Sequence, residues 1–370
     1  MKKRRLILAV VILGIWLVGC GAEKVSEEES RTAAEIRTVA ESRMTVESRM
    51  TVESSEAVIQ DNCCCIVTCT NSKSVVLYDL NQYDGENLDN CEIWSFVPTS
   101  PEAYEGGGGI AGVKYREDTV FGDVVIVCAG NGYAAIISYP EGETLWETFD
   151  SGSNSHAIEI LPSGNVAVAA SSGNTLRLFA SSAVLQNDTE KASGYKEYPL
   201  TDGHGVLWDP AYEVLWALGQ ENLNAYTVSG EGVDEELILR EDLGIMKPGL
   251  YGHDLSADFL DRDYLWVTGS SHVYHYNKKT GELSLDYEFY KKLDKPSVKG
   301  FGNNPDGSYF LTLPNYGTGT SWEKESFASW STDKIFFFYL SGDGTELETS
   351  KCKSETRAFY KVFSFYGKYQ

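Results

Sequence analysis

The feature that most constrains this chain is a repeat. Ser155-His156-Ala157-Ile158-Glu159, Gly203-His204-Gly205-Val206-Leu207 and Gly252-His253-Asp254-Leu255-Ser256 are related segments, with histidines 48 and 49 residues apart. About ten residues after each comes an apolar run: Asn165 to Ala170, Val214 to Leu218 and Tyr264 to Thr268. A short Gly/Ser/Asn turn follows, then Thr175 to Phe179, Asn224 to Val228 and Val273 to Tyr276. A fourth, more polar segment closes each unit. Four-strand units of this length are the sequence signature of propeller blades.

The period extends both ways. Ala111 to Tyr115, Val124 to Cys128 and Ala134 to Ser138 form an earlier unit. Val298 to Phe301, Ser308 to Leu313 and Lys334 to Leu340 form a later one. A first unit offers Cys63 to Thr68, Val75 to Leu80 and Glu92 to Val97 but lacks an inner strand. The run Phe359-Tyr360-Lys361-Val362-Phe363-Ser364-Phe365 is placed to supply it, which would leave the ring without an open edge. The expectation is an all-β, six-bladed β-propeller over 61–370, closed by a C-terminal strand, with seven blades as the alternative.

The first sixty residues read differently. Lys2, Lys3, Arg4 and Arg5 precede an apolar run, Leu6 to Val18, too short for an ordinary membrane span. It ends in Leu17-Val18-Gly19-Cys20, which resembles the bacterial lipoprotein signal. That resemblance implies a signal peptide over 1–19, lipidation of Cys20 and an extracytoplasmic protein anchored by acyl chains to the bacterial cell membrane. Two acyl chains suffice for stable anchoring. Residues 20–60, rich in Glu, Ser, Thr and Arg, contain a tandem repeat of Glu-Ser-Arg-Met-Thr-Val at Glu41–Val46 and Glu47–Val52. This is the composition of a flexible, solvated spacer.

Net charge is −23, from 54 acids against 31 bases, so the chain lacks the basic face a nucleic-acid partner requires. Cys63, Cys64, Cys65 and Cys69 sit in a strand-like run with no Cys-x-x-Cys pair, and they read as small buried hydrophobes. No nucleophile elbow, His-Glu-x-x-His helix or phosphate loop occurs.

Chemistry therefore rests on register. Innermost strands line a propeller's channel, so equivalent positions form rings. His156, His204 and His253, three of the five histidines, are expected to converge at one channel mouth. Neutral imidazoles suit a divalent metal such as Zn or Mn, and one of them suits a general base. Packing inherited from the blade repeat explains the same histidines without either role. Asp202, Asp209, Asp254 and Asp258 are near enough in sequence to orient them. Lys114, Lys299, and Arg357 or Lys361 occur at or soon after this register and suggest an anionic ligand. Turns after the second strands offer Asn71, Asn131, Tyr133, Asn174, Gln220, Asn222 and His272 for a hydroxyl-rich ligand, although turn chemistry alone accounts for them. The long loop Pro314 to Asp333 carries Trp322 and Trp330, whose faces suit stacking on a sugar, or packing within the loop itself.

The His-bearing repeats, with Leu161-Pro162-Ser163-Gly164-Asn165 and Leu265-Trp266-Val267-Thr268, resemble bacterial lipoprotein propellers over roughly 60–370. More distantly the pattern is similar to the streptogramin-lyase and oligogalacturonate-lyase propellers. Those resemblances imply a site at the channel mouth where histidines and a divalent metal take part in lysis. His156, His204 and His253 are the matching candidates. Three functions follow as expectations. One is a membrane-anchored binding protein for an anionic or polyhydroxy small ligand, such as a saccharide. The second is a metal-assisted lyase or hydrolase. The third is a protein-interaction scaffold.

Overall fold

A computed structural model describes residues 64–104, 108–149, 154–314 and 329–369. Six antiparallel sheets are arranged as blades. Blade 1 contains Cys64–Cys69, Ser74–Asp79 and Glu92–Phe96, with the C-terminal strand Phe359–Ser364 on its inner edge. The pairing Ile66↔Phe363 and Val67↔Val362 sets that closure. Blades 2 to 6 begin with inner strands Ile110–Thr119, Ser155–Ile160, Gly205–Asp209, Asp254–Ala257 and Gly300–Asn303. The six-bladed expectation and the C-terminal closure hold. Cys20, the signal peptide and the spacer lie outside the described residues.

The second strand of each blade is a continuous apolar run because both of its faces are covered by neighbouring blades. Val166–Ala170 and Val214–Leu218 are buried at every residue. Successive side chains point to opposite faces, so they enter different cores. Ile66 and Leu77 pack between blades 1 and 2, whereas Val67 and Val76 pack between blades 1 and 6. Four further clusters fill the remaining gaps between adjacent blades, so the apolar core is a ring of wedges rather than one central mass. The cysteines follow the same rule. Cys64 joins one wedge, and Cys65 and Cys69 join the other, all of them buried. Burial pushes the Cys69 thiol up to about 12.

Near the axis the inner strands approach closely. A Cβ on Gly205 would lie 2.5 Å from Leu255 Cβ, and one on Gly300 would lie 2.7 Å from Val362 N. Glycine at these two positions lets adjacent blades converge, which brings His204 and Lys299, each one residue earlier, into a common mouth.

Candidate functional site at the channel mouth

The three repeat histidines do come together. The His156 and His204 ring centroids are 4.2 Å apart, and those of His204 and His253 are 5.1 Å apart. With Lys299, Trp330, Tyr360, Gly109, Ala111 and Ser171 they line a cavity of about 320 Å³. That volume lies at the lower end of the range for small-molecule sites, roughly 300–1,000 Å³.

Local backbone fixes two of the rings. His156 Nδ1 lies 2.8 Å from the Asn154 carbonyl, and His204 Nδ1 lies 2.9 Å from the Asp202 carbonyl. A carbonyl only accepts, so each Nδ1 carries the proton and each Nε2 keeps its lone pair. Asn154 and Asp202 both adopt left-handed backbone, φ 59° and 50°, turning the chain so that the carbonyl two residues back meets the ring. His253 differs. Its Nε2 accepts from Lys299 Nζ at 3.1 Å, and its buried Nδ1 has no hydrogen-bond partner among the described residues.

All three rings are held neutral. Burial is the main cause, followed by nearby positive charge, and it lowers His204 and His253 to about 3 and His156 well below its usual range. Lys299 is lowered to about 8 by burial and by the Lys361 ammonium. Lys361 lies fully buried beneath the mouth, donating at 3.0 Å to both Asp254 Oδ1 and the His204 carbonyl. Tyr360 stands edge-on to both His156 and Trp330, with centroids 5.7 and 5.2 Å apart.

A divalent metal, expected on the trio, fits this geometry poorly. The His253 Nε2 lone pair is taken by an ammonium, so a cation already sits where a metal would need that nitrogen. No carboxylate side chain among the described residues lines the cavity. Among the described residues, no group of three or more His, Cys, Asp or Glu side chains is placed to hold a metal ion.

Other expectations are corrected by position. Lys114 is not at the mouth. It lies within the channel, bonded to Glu159 Oε2 at 2.9 Å and to the Val206 carbonyl. Arg357 packs outward on Tyr78 and Glu92. Among the aspartates, only Asp202 attends its histidine. Asp209 binds Lys278 and Trp216, Asp254 binds Lys361, and Asp258 binds His275. The turn residues do not line the cavity. Asn131 donates to the Glu102 and Ala103 carbonyls. Asn71 bonds the Thr356 carbonyl and the Ala358 N–H. Tyr133 is buried and packs on Phe149. Asn174, at φ 52°, accepts from Asp202 N–H. Gln220 joins Thr201 to Gly252 through its main chain. Asn222 opens a strand, and His272 pairs with Asp294 at 2.9 Å. Trp322 lies outside the described residues.

Tyr360, Asn154 and Ser171 are site residues that pattern-reading passed over. Tyr360 had a usable signal, because laying the closing strand on the inner-strand register puts it level with the histidines.

No curated protein matches the chain. The chain is similar to several solved structures. A protein of unknown function from Bacteroides caccae is 11% identical, with a TM-score of 0.51, covering 82% of this chain and 98% of that one. A functionally unknown protein from Desulfotomaculum acetoxidans is 13% identical, with a TM-score of 0.47, covering 80% of this chain and 88% of that one. Virginiamycin B lyase from Staphylococcus aureus is 13% identical, with a TM-score of 0.41, covering 65% and 83%. A family model, described as a family of unknown function and designated DUF6528, matches residues 89–335, and the chain belongs to that family.

Proposed function

We propose that this chain is a membrane-anchored, extracytoplasmic propeller that binds a small anionic or polyhydroxy ligand at its histidine-lined mouth. One observation carries the reading. In a chain of net charge −23, the described residues that line the mouth cavity include Lys299 and three neutral imidazoles and no carboxylate side chain. The low-dielectric walls of a cleft focus the field of Lys299 on whatever enters. The aromatic faces of Trp330 and Tyr360 supply an apolar wall of the kind small-molecule sites use. The anchor in this reading rests on Cys20 and the residues before it.

Calorimetric titration of the purified protein with D-glucuronate tests the binding claim. Saturable binding that drops at least tenfold in Lys299→Met supports it, since a hydrogen bond to a charged group contributes about 1.5–3 kcal/mol and 1.4 kcal/mol is tenfold. No saturable binding by the parent would overturn it. For the anchor, Cys20→Ser should move the protein from the membrane fraction to the soluble one; unchanged fractionation counts against lipidation.

A further inference from the structure

A second cavity, of about 270 Å³, lies away from the channel between blades 3 and 4. It is built where these blades join their third and fourth strands, at residues 180–194 and 230–235. Asn165 ties the two connections together. It is buried, donates at 2.7 Å to the Gly232 carbonyl and to Glu235 Oε2, and accepts from Ser182. Ser163 Oγ donates to the same Oε2 at 2.9 Å. Glu235, only 6% exposed, is therefore fixed through one oxygen. Its Oε1 accepts no hydrogen bond from the described residues, and Glu235 is part of the cavity lining. Burial pushes this carboxyl above its ordinary range. Lys191 and Lys196 also line the cavity, with their ammoniums on Asp188 Oδ2 at 2.7 Å and the Asp234 carbonyl at 2.8 Å. Leu178, Ala180, Tyr195 and Val233 supply apolar wall.

We propose that this side cavity is a second binding site, separate from the channel mouth, and that it takes a small primary amine on an apolar body. The ammonium donates to Glu235 Oε1, and the body lies against Leu178, Tyr195 and Val233. A mostly apolar pocket with one placed polar group is the usual form of a small-molecule site, and this volume suits a single ring with a short arm. A neutral hydroxyl can donate to the same oxygen, but a bond between two charged groups is about twice as strong as a neutral one. Charge around the cavity also favours a cation. Segments 188–196 and 231–236 carry six carboxylates, Asp188, Glu190, Glu231, Asp234, Glu235 and Glu236, against the two ammoniums of Lys191 and Lys196. An anion meets the opposite field and finds an acceptor where it needs a donor.

The test is a calorimetric panel on the unaltered full chain with 2-phenylethylamine, 2-phenylethanol and phenylacetate, three probes that share a ring and differ in the group on its arm. The expected result is saturable binding of the amine, roughly tenfold or more tighter than either of the others. Glu235→Gln keeps an oxygen for Asn165 and Ser163 but turns an N–H donor toward the ligand, and should weaken the amine by at least about tenfold. An excess of D-glucuronate should leave amine affinity unchanged. Phenylacetate or 2-phenylethanol binding as tightly as the amine, or no binding by any of the three, would overturn the proposal. Full affinity in Glu235→Gln, or displacement of the amine by D-glucuronate, would place the amine elsewhere and overturn it too. The panel on the unaltered protein decides the matter even if the variant fails to fold.

Discussion

The two ends of the channel are formed by the same six inner strands, yet their chemistry is opposite. At the histidine end polar groups line an open cavity, and among the described residues the charge in its lining is the Lys299 ammonium. Farther in and toward the other end, cations are matched by carboxylates. Glu159 accepts from Lys114 and Arg116, and Asp254 accepts from Lys361. The far end is also covered by the chain's own tail. Phe365 stacks on Tyr115 at 4.2 Å, Tyr369 Oη donates to the Ile160 carbonyl at 2.7 Å, and Arg116 lies over the Tyr369 ring. One end is thus satisfied internally, while the other lines a cavity with neutral imidazoles and an ammonium. Equivalent positions on a symmetric scaffold acquire separate tasks through the partners they are given.

The sharpest way to break this contrast is Glu159→Ala. Glu159 is fully buried and balances two buried cations, and removing one member of such a group costs roughly 3–5 kcal/mol. Denaturant unfolding should show that loss; a change below about 1 kcal/mol would mean the ionic cluster is not structural. Next in size is Tyr369→Ala, which removes a ring from Arg116 and a hydrogen bond to Ile160, expected to cost about 1–2 kcal/mol. It should leave affinity at the histidine mouth unchanged. Loss of binding there would show that the two ends are coupled.

Acidification separates the ends by another route. His204 and His253 fall to about 3 in the folded chain, against an ordinary value of 6.5. Between those values the unfolded chain binds more protons, so stability should decline as pH falls from 6.5 toward 3. His204→Phe should flatten that decline, and an unchanged slope would assign acid sensitivity elsewhere. On the alkaline side, Lys299 loses its proton as pH rises through about 8, so anion affinity should fall there. The smallest stability effect is expected for Lys299→Met, within about 1 kcal/mol of the parent, because the substitution removes a cation that burial already disfavours. Thermal unfolding measures this directly, and a larger loss would make Lys299 a structural residue.

The blade repeat was legible because a strand covered on both faces must be apolar throughout, and runs such as Val166–Ala170 advertise that need without any tertiary information. The histidine trio was legible because register repeats with the blade. Lys114 was misplaced because the inner strand of blade 2 is ten residues long and carries register shifts between Ile110 and Gly112 and between Arg116 and Thr119. The shorter strand read from the sequence, Ala111 to Tyr115, therefore sets Lys114 at the histidine register. The turn residues misled because Asn and His there serve the turn itself, as Asn174 does for Asp202. The tautomers were beyond the sequence, since they depend on left-handed backbone at Asn154 and Asp202.

Histidine ring NMR during titration with D-glucuronate tests the central claim most directly, because five histidines report on two kinds of environment. His156, His204 and His253 line the mouth, whereas His272 pairs with Asp294 and His275 is stacked between Tyr264 and Trp266. The account predicts saturable shifts in the first three rings and none in the other two. Five silent rings, or equal shifts in His272 and His275, would contradict it.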